Sequence, residues 1–353
     1  MRAYLVLDTG EVFPGRWLGR PVETKGELVF TTGMTGYQEA LTDPSYAGQV
    51  VTFTYPLVGN CGVNPEECEG ARPLCAGVVM SEVYDGPGGS LAEWLAEQGV
   101  PGIVGVDTRA VVKRVRDKRL VRGVISSSPR PSLGDWPDPR SLEWVSRAAA
   151  EEPRHYPGRE GAPHIVMIDL GARASLLRAL RRRGFSVTVV PYHWEPAKIR
   201  EMEPDGLLLS NGPGDPKALA PFFPEWAPLF RQIPTLGICL GHQLLALALG
   251  GDTERLLHGH RGSNHPVREC ATGRVWITAQ NHGYAVREES LDPEEWEVTY
   301  RHVNDGTVEG IAHRLYPVSG VQFHRIHSGP TDTAFFDRFV SQVWARKKVQ
   351  VRG

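Results

Sequence analysis

The stretch Gly237-Ile238-Cys239-Leu240-Gly241-His242-Gln243 carries the strongest chemical signal in this sequence. An apolar run, TLGI, ends at a cysteine, and a helix-forming run, LGHQLLALALG, follows at once, with glycines on either side of the thiol. This is the layout of a nucleophile elbow, in which small neighbours permit a strained turn that exposes the central side chain. A thiol there sits at a helix N-terminus, where the dipole favours thiolate. The competing reading, a plain buried cysteine at a strand end, suits a lone cysteine better than one set between glycines.

A thiolate attacking a carbonyl needs a base and a site for the oxyanion. Ser210-Asn211-Gly212-Pro213-Gly214-Asp215-Pro216 follows the strand-like run GLLLS and supplies a Gly/Pro-rich loop at the same sheet edge. Its backbone N–H groups and that of Leu240 are the natural donors, although alone the loop reads as an ordinary turn. His324, at the end of GVQFH, is the candidate base, while an isolated histidine at a strand end is more often structural. The five cysteines, Cys61, Cys68, Cys75, Cys239 and Cys270, are too sparse for a disulfide framework, and Cys61, Cys68 and Cys75, seven residues apart, match no usual metal-ligand spacing. LSNGPGDP lacks the Lys-Ser/Thr of a P-loop, and no G-x-G-x-x-G opens a helix, so an ATP site is not expected here.

Two domains must position these groups. The chain of 353 residues is long enough for both, and its 41% hydrophobic and 23% charged residues are ordinary for a globular protein. Pro-, Gly- and charge-rich segments between residues 129 and 163 divide it into residues 1–150, a linker at 151–162 and residues 163–353. In the first part AYLVL, ELVFTT and QVVTFTY read as strands, and SLAEWLAEQG and DTRAVVKRVRDK as helices, a mixed α/β domain. In the second, HIVMIDL, FSVTVV, GLLLS and TLGI alternate with helical runs, which predicts an α/β fold with a mostly parallel central sheet covered by helices. Sites in such sheets collect at the carboxyl ends of the strands. The net charge of -2 gives no reason to expect nucleic acid or an anionic membrane as partner. No apolar run reaches membrane-spanning length, and MRAYLVLDTGEVF meets an Asp and a Gly too early for a signal segment, so the expected compartment is the cytoplasm.

Taken together, these segments resemble the class I, triad-type glutamine amidotransferases, in which a G-x-C-x-G elbow supplies the nucleophile and a later His-Pro-Glu supplies base and orienter. GELVFTTGMTGYQEALTDPSYAGQVVTFTYPLVGN, GVDTRAVVKRVR, LSNGPGDP, GICLGHQLLALALGG, NHPV and ITAQNHGYAV narrow the likeness to the small-chain family of carbamoyl-phosphate synthetase, over nearly the whole chain and in order. Other amidotransferases of the class lack this first domain. The resemblance implies Cys239 as nucleophile, His324 as general base, and Gly212 and Leu240 as oxyanion donors. It further implies a glutamine site built from Ser45, Gly212, Leu240, Gln243, Asn281, Gly283 and Tyr284. It implies a large synthetase subunit as partner, taking the ammonia and holding ATP and Mg, with no cofactor and no metal on this chain. Arginine and pyrimidine biosynthesis are the pathways so implied.

One segment departs from the pattern. After His324 the chain reads Arg325-Ile326-His327-Ser328-Gly329-Pro330, where the family has Pro-Glu-Ala before a Gly-Pro loop. The carboxylate that would hold the imidazole tautomer is missing, and such a loss costs a serine-protease triad about four decades in rate. Three readings stand: a natural change leaving a weak or silent docking subunit; an altered stretch within an otherwise intact site; or another carboxylate, Glu309 or Asp332, in the orienting role. The intact elbow and loop favour the second.

Overall fold

The computed structural model describes residues 1–84, 89–326 and 334–352. Its strands in the first part are β1 (Arg2–Leu7), β2 (Val12–Gly19), β3 (Thr24–Thr31), β4 (Gln49–Phe53), β5 (Leu57–Val58), β6 (Gly77–Met80), β7 (Glu82–Val83), β8 (Pro101–Val104) and β9 (Arg122–Ser126). Seven of these close a barrel in the order β1-β2-β8-β6-β4-β3-β9. Alternation along the strands gives each face its own core. Leu28, Val50 and Val79 pack with Val111 and Val115 of the helix Thr108–Val115. Val29, Val51 and Val78 pack with Leu41, Leu91 and Leu95, carried by the helices Tyr37–Thr42 and Leu91–Glu97.

The second part holds β10 (Arg154–Tyr156), β11 (His164–Asp169), β12 (Ser186–Pro191), β13 (Gly206–Leu209), β14 (Thr235–Ile238), β15 (Thr253–Glu269), β16 (Val275–Val286), β17 (Trp296–His302), β18 (Val308–His313), β19 (Val318–Val321) and β20 (Arg325–Ile326). They form one sheet in the order β10-β12-β11-β13-β14-β19-β18-β17-β15-β16-β20. The core, β12-β11-β13-β14-β19, is parallel. Val166, Ile168, Leu207 and Leu209 face Trp226, Phe230 and Leu244 on the helices Phe223–Gln232 and Leu240–Ala248. Ile165, Met167 and Leu208 face Leu180, Phe339 and Val343 on the helices Ala174–Arg182 and Asp337–Arg352. This is the doubly covered α/β sheet expected from the continuous apolar strands.

Beyond the parallel core the sheet continues antiparallel through β15–β18, an extension the sequence patterns do not announce. Residues 154–156, within the expected linker, pair with β12, and Val145 of the preceding helix Glu143–Ala148 packs into the second core. Among the described residues no helix is long and apolar enough to cross a membrane.

Candidate active site

The elbow forms where the sequence places it. β14 ends at Ile238, the helix Leu240–Ala248 begins one residue later, and Cys239 between them takes φ 53°, ψ -105°. For a residue with a Cβ such a conformation costs about 1–3 kcal/mol and persists only where the surroundings impose it. Here two close approaches impose it. A Cβ on Gly237 would lie 2.5 Å from the Gly241 carbonyl carbon, and a Cβ on Gly241 would lie 2.3 Å from the Leu209 oxygen. Only glycine at both positions lets the helix start against β13 and β14.

The Cys239 thiol is buried. Its Sγ donates to the Asn281 carbonyl at 3.7 Å and accepts from Gln322 Nε2 at 3.5 Å. Burial pushes this thiol well above its ordinary range, with the nearby charge of Asp43 adding to the shift and the Leu240 N–H opposing it only in part. The expectation of a thiolate favoured by the helix dipole is therefore not met in the resting site: desolvation outweighs the helix terminus.

His324 lies beside the same carbonyl. Its backbone N–H donates to Ala279 at 2.9 Å, which starts the pairing of β20 with β16. Although the residue is only half-buried, its Nε2 is shut off from solvent and has no hydrogen-bond partner among the described residues. Desolvation brings its pKa down to about 4, helped by the Arg173 charge and opposed by Asp43 and the Asn281 backbone. The imidazole is thus neutral at neutral pH with a free nitrogen. Among the described residues no hydrogen bond joins it to Cys239; the two side chains neighbour the Asn281 carbonyl, and Asn281 lines both their cavities.

The cavity over Cys239 is also lined by Ser45, Gly212, Leu240, Gln243, Gly283 and Tyr284, so the structure gathers every residue expected to touch glutamine. Ser45 arrives from the first domain: Asn211 Nδ2 donates to its Oγ at 3.1 Å, and Asp43 caps the short helix Pro44–Tyr46 by accepting from the Ser45 N–H at 2.9 Å. Asp43 Oδ2 also accepts from Asn281 Nδ2 at 3.1 Å. The Leu240 N–H is in the first turn of its helix, where N–H groups lack intrahelical acceptors.

Models of two families match this chain. Residues 5–125 match the carbamoyl-phosphate synthase small chain, CPSase domain, and residues 166–343 match glutamine amidotransferase class-I. The arginine-specific carbamoyl phosphate synthase small chain of Halalkalibacterium halodurans is 44% identical over 355 residues, 98% of each chain. The pyrimidine-specific small chain of Lactiplantibacillus plantarum is 42% identical over 99% of this chain and 98% of its own. A small chain of Listeria monocytogenes is 45% identical over 96% of both.

The chain belongs to the carbamoyl-phosphate synthase small chains.

In this small chain the site also contains residues that sequence reasoning passed over. Gln322 is fully buried, contacts Cys239, and accepts from Gln243 Nε2 at 2.9 Å. Its position two residues before His324 on an extended run was the available signal. Gln243 Nε2 is shared between Gln322 and the Tyr284 carbonyl at 2.7 Å, which ties the elbow helix to β16. Asp43 and Arg173 reach the site from separate segments and left no local pattern. Of the two carboxylates considered for orienting His324, Glu309 is fully buried and hydrogen-bonds His260, not His324. Asp332 lies outside the described residues.

Proposed function

We propose that this small chain hydrolyses glutamine to glutamate and ammonia through a Cys239 thioester and passes the ammonia to a large synthetase subunit. The forced conformation of Cys239 at the floor of a polar cavity carries this reading, because such strain persists where a nucleophile must be presented. In the first step Sγ attacks the carboxamide carbon, and its proton passes to the free Nε2 of His324. The tetrahedral oxyanion is held by the N–H groups of Leu240 and Gly212. Collapse expels ammonia, which takes the proton from His324, and leaves the γ-glutamyl thioester. Water, deprotonated by His324, then attacks the thioester and releases glutamate with the thiol restored. Ser45, Gln243, Asn281, Gly283 and Tyr284 hold the amine and carboxylate of the substrate. With a raised thiol pKa and a lowered imidazole pKa, the proton leaves Sγ only as attack proceeds. ATP, Mg and bicarbonate chemistry belongs to the large partner.

The test is glutamate release by the small chain mixed with its large subunit, ATP and bicarbonate. Turnover that disappears in Cys239→Ser, with ammonia-dependent synthesis kept, supports the proposal. A second reading, a docked but disabled glutaminase, is motivated by Arg325-Ile326, whose backbone pairs with β16 where the family places Pro-Glu. It predicts ammonia-dependent synthesis without glutamine turnover, and no covalent capture of a glutamine analogue by Cys239.

A further inference from the structure

Behind Asn281, polar atoms of four buried side chains converge. β16 alternates, so Gln280 and His282 project to the face opposite Asn281 and Gly283, and His260 on β15 stands directly across from His282. His260 Nδ1 is 3.2 Å from Gln280 Oε1 and 3.3 Å from Glu309 Oε1. His282 Nε2 is 2.8 Å from the same Gln280 oxygen and 3.8 Å from the same Glu309 oxygen. None of the four residues is more than 6% exposed, and Glu309 Oε2 has no hydrogen-bond partner among the described residues.

Their surroundings fix which atoms carry hydrogen. His282 Nδ1 is 2.8 Å from the Tyr284 carbonyl, which can only accept, so Nδ1 is protonated and, in the neutral ring, Nε2 presents a lone pair. His260 Nε2 is 2.7 Å from Asp305 Oδ2 and carries its proton there, leaving Nδ1 to face Gln280 and Glu309. The Gln280 amide cannot turn over at no cost. Its Nε2 donates to Thr278 Oγ1 at 3.1 Å, and that hydroxyl already spends its own hydrogen on the His265 carbonyl at 2.9 Å. A proton on His260 Nδ1 would relieve that ring's contacts but not the meeting of His282 Nε2 with Gln280 Oε1.

We propose that His260 Nδ1, His282 Nε2, Glu309 Oε1 and Gln280 Oε1 form a closed four-coordinate site for a divalent cation of the zinc type. Ligand bonds of about 2.0–2.2 Å in a tetrahedron set neighbouring donors roughly 3.3–3.6 Å apart, a range that the separations above, 2.8–3.8 Å, bracket. Two imidazoles with two oxygens suit zinc better than calcium or magnesium. Each imidazole also donates its remaining N–H to an oxygen, Asp305 for His260 and Tyr284 for His282, as metal-bound histidines do. A neighbouring trio, His260, His265 and His302, shares His260, but there His265 Nδ1 and His302 Nε2 satisfy each other at 3.1 Å. The cation pins β15 and β18 to β16, the strand that carries Asn281, Gly283 and Tyr284, and favours the ionised form of Glu309, whose pKa burial otherwise raises. It takes no part in bond making.

The experiment is metal analysis of the full chain as purified, then stripping with a chelator and titration with Co²⁺ and Zn²⁺. The expected result is one cation per chain, a four-coordinate Co²⁺ spectrum displaced by Zn²⁺, and X-ray absorption showing two imidazole and two oxygen ligands. Glu309→Gln and His282→Asn should weaken binding at least about 100-fold, whereas His265→Ala should leave it intact. If those variants fail to fold, the ligand count on the wild-type chain decides. Absence of stoichiometric binding, binding that survives loss of Glu309 and His282, or binding lost with His265 would overturn the proposal.

Discussion

At the scale of single residues, the site is governed by desolvation. Asp43 raises the Cys239 thiol pKa, so Asp43→Asn should lower it. Labelling of Cys239 by iodoacetamide, followed against pH, is expected to reach half its maximum rate at lower pH in the variant. An unmoved profile would show that the Asp43 charge is not felt at Sγ. His242 is fully buried, and burial pushes its pKa down to about 3, opposed only in part by the Gly320 backbone. The unfolded chain, with this histidine near 6.5, therefore binds the extra proton between pH 6.5 and about 3. Stability from His242 is complete above 6.5 and falls by up to about 1.4 kcal/mol per pH unit below it. Urea unfolding of wild type and His242→Gln should show the variant losing less stability between pH 7 and about 5.

At the scale of elements, the elbow depends on contacts that no side chain can share. Gly241→Ala would press a methyl group onto the Leu209 oxygen, and Gly237→Ala would press one onto the Gly241 backbone. Each should cost about 2–4 kcal/mol in urea unfolding and depress glutamine turnover further than stability alone explains, because β14 and the helix must separate. Full stability in both alanine variants would mean that the elbow tolerates a wider turn. The elements themselves divide by how local their signals are. β11–β14 are apolar and continuous, and their helices carry apolar stripes, so periodicity alone reveals them. β15 and β16 mix His, Arg, Asn and Gln with few alternating apolar positions, and the pairings among β15–β18 span long stretches of chain. No window of local pattern contains that information.

At the scale of the whole molecule, the cavity over Cys239 is assembled across the seam between the barrel and the second sheet. Arg173 pairs with Glu69 at 2.8 Å with both side chains largely buried, and Arg255 pairs with Glu27 beside the cavity. Arg173→Met should leave the buried Glu69 carboxylate with only the more exposed Arg178, 3.8 Å away, and cost about 3 kcal/mol, while the double variant with Glu69→Gln should recover much of the loss. Thermal unfolding of the three chains checks this, and equal losses in the single and double variants would remove the pair from the seam. The sequence by itself determined the α/β class and the elbow through apolar periodicity and glycine spacing, and the family through the order of its motifs; the residues expected about Cys239 came only with that resemblance. Only the tertiary structure decided that Cys239 rests as a buried thiol, that His324 Nε2 has no carboxylate partner among the described residues, that Gln322 and Asp43 stand beside Cys239, and that four polar side chains converge behind Asn281. Those outcomes depend on burial and on contacts between distant segments, and both arise only when the sheet and the barrel close on one another.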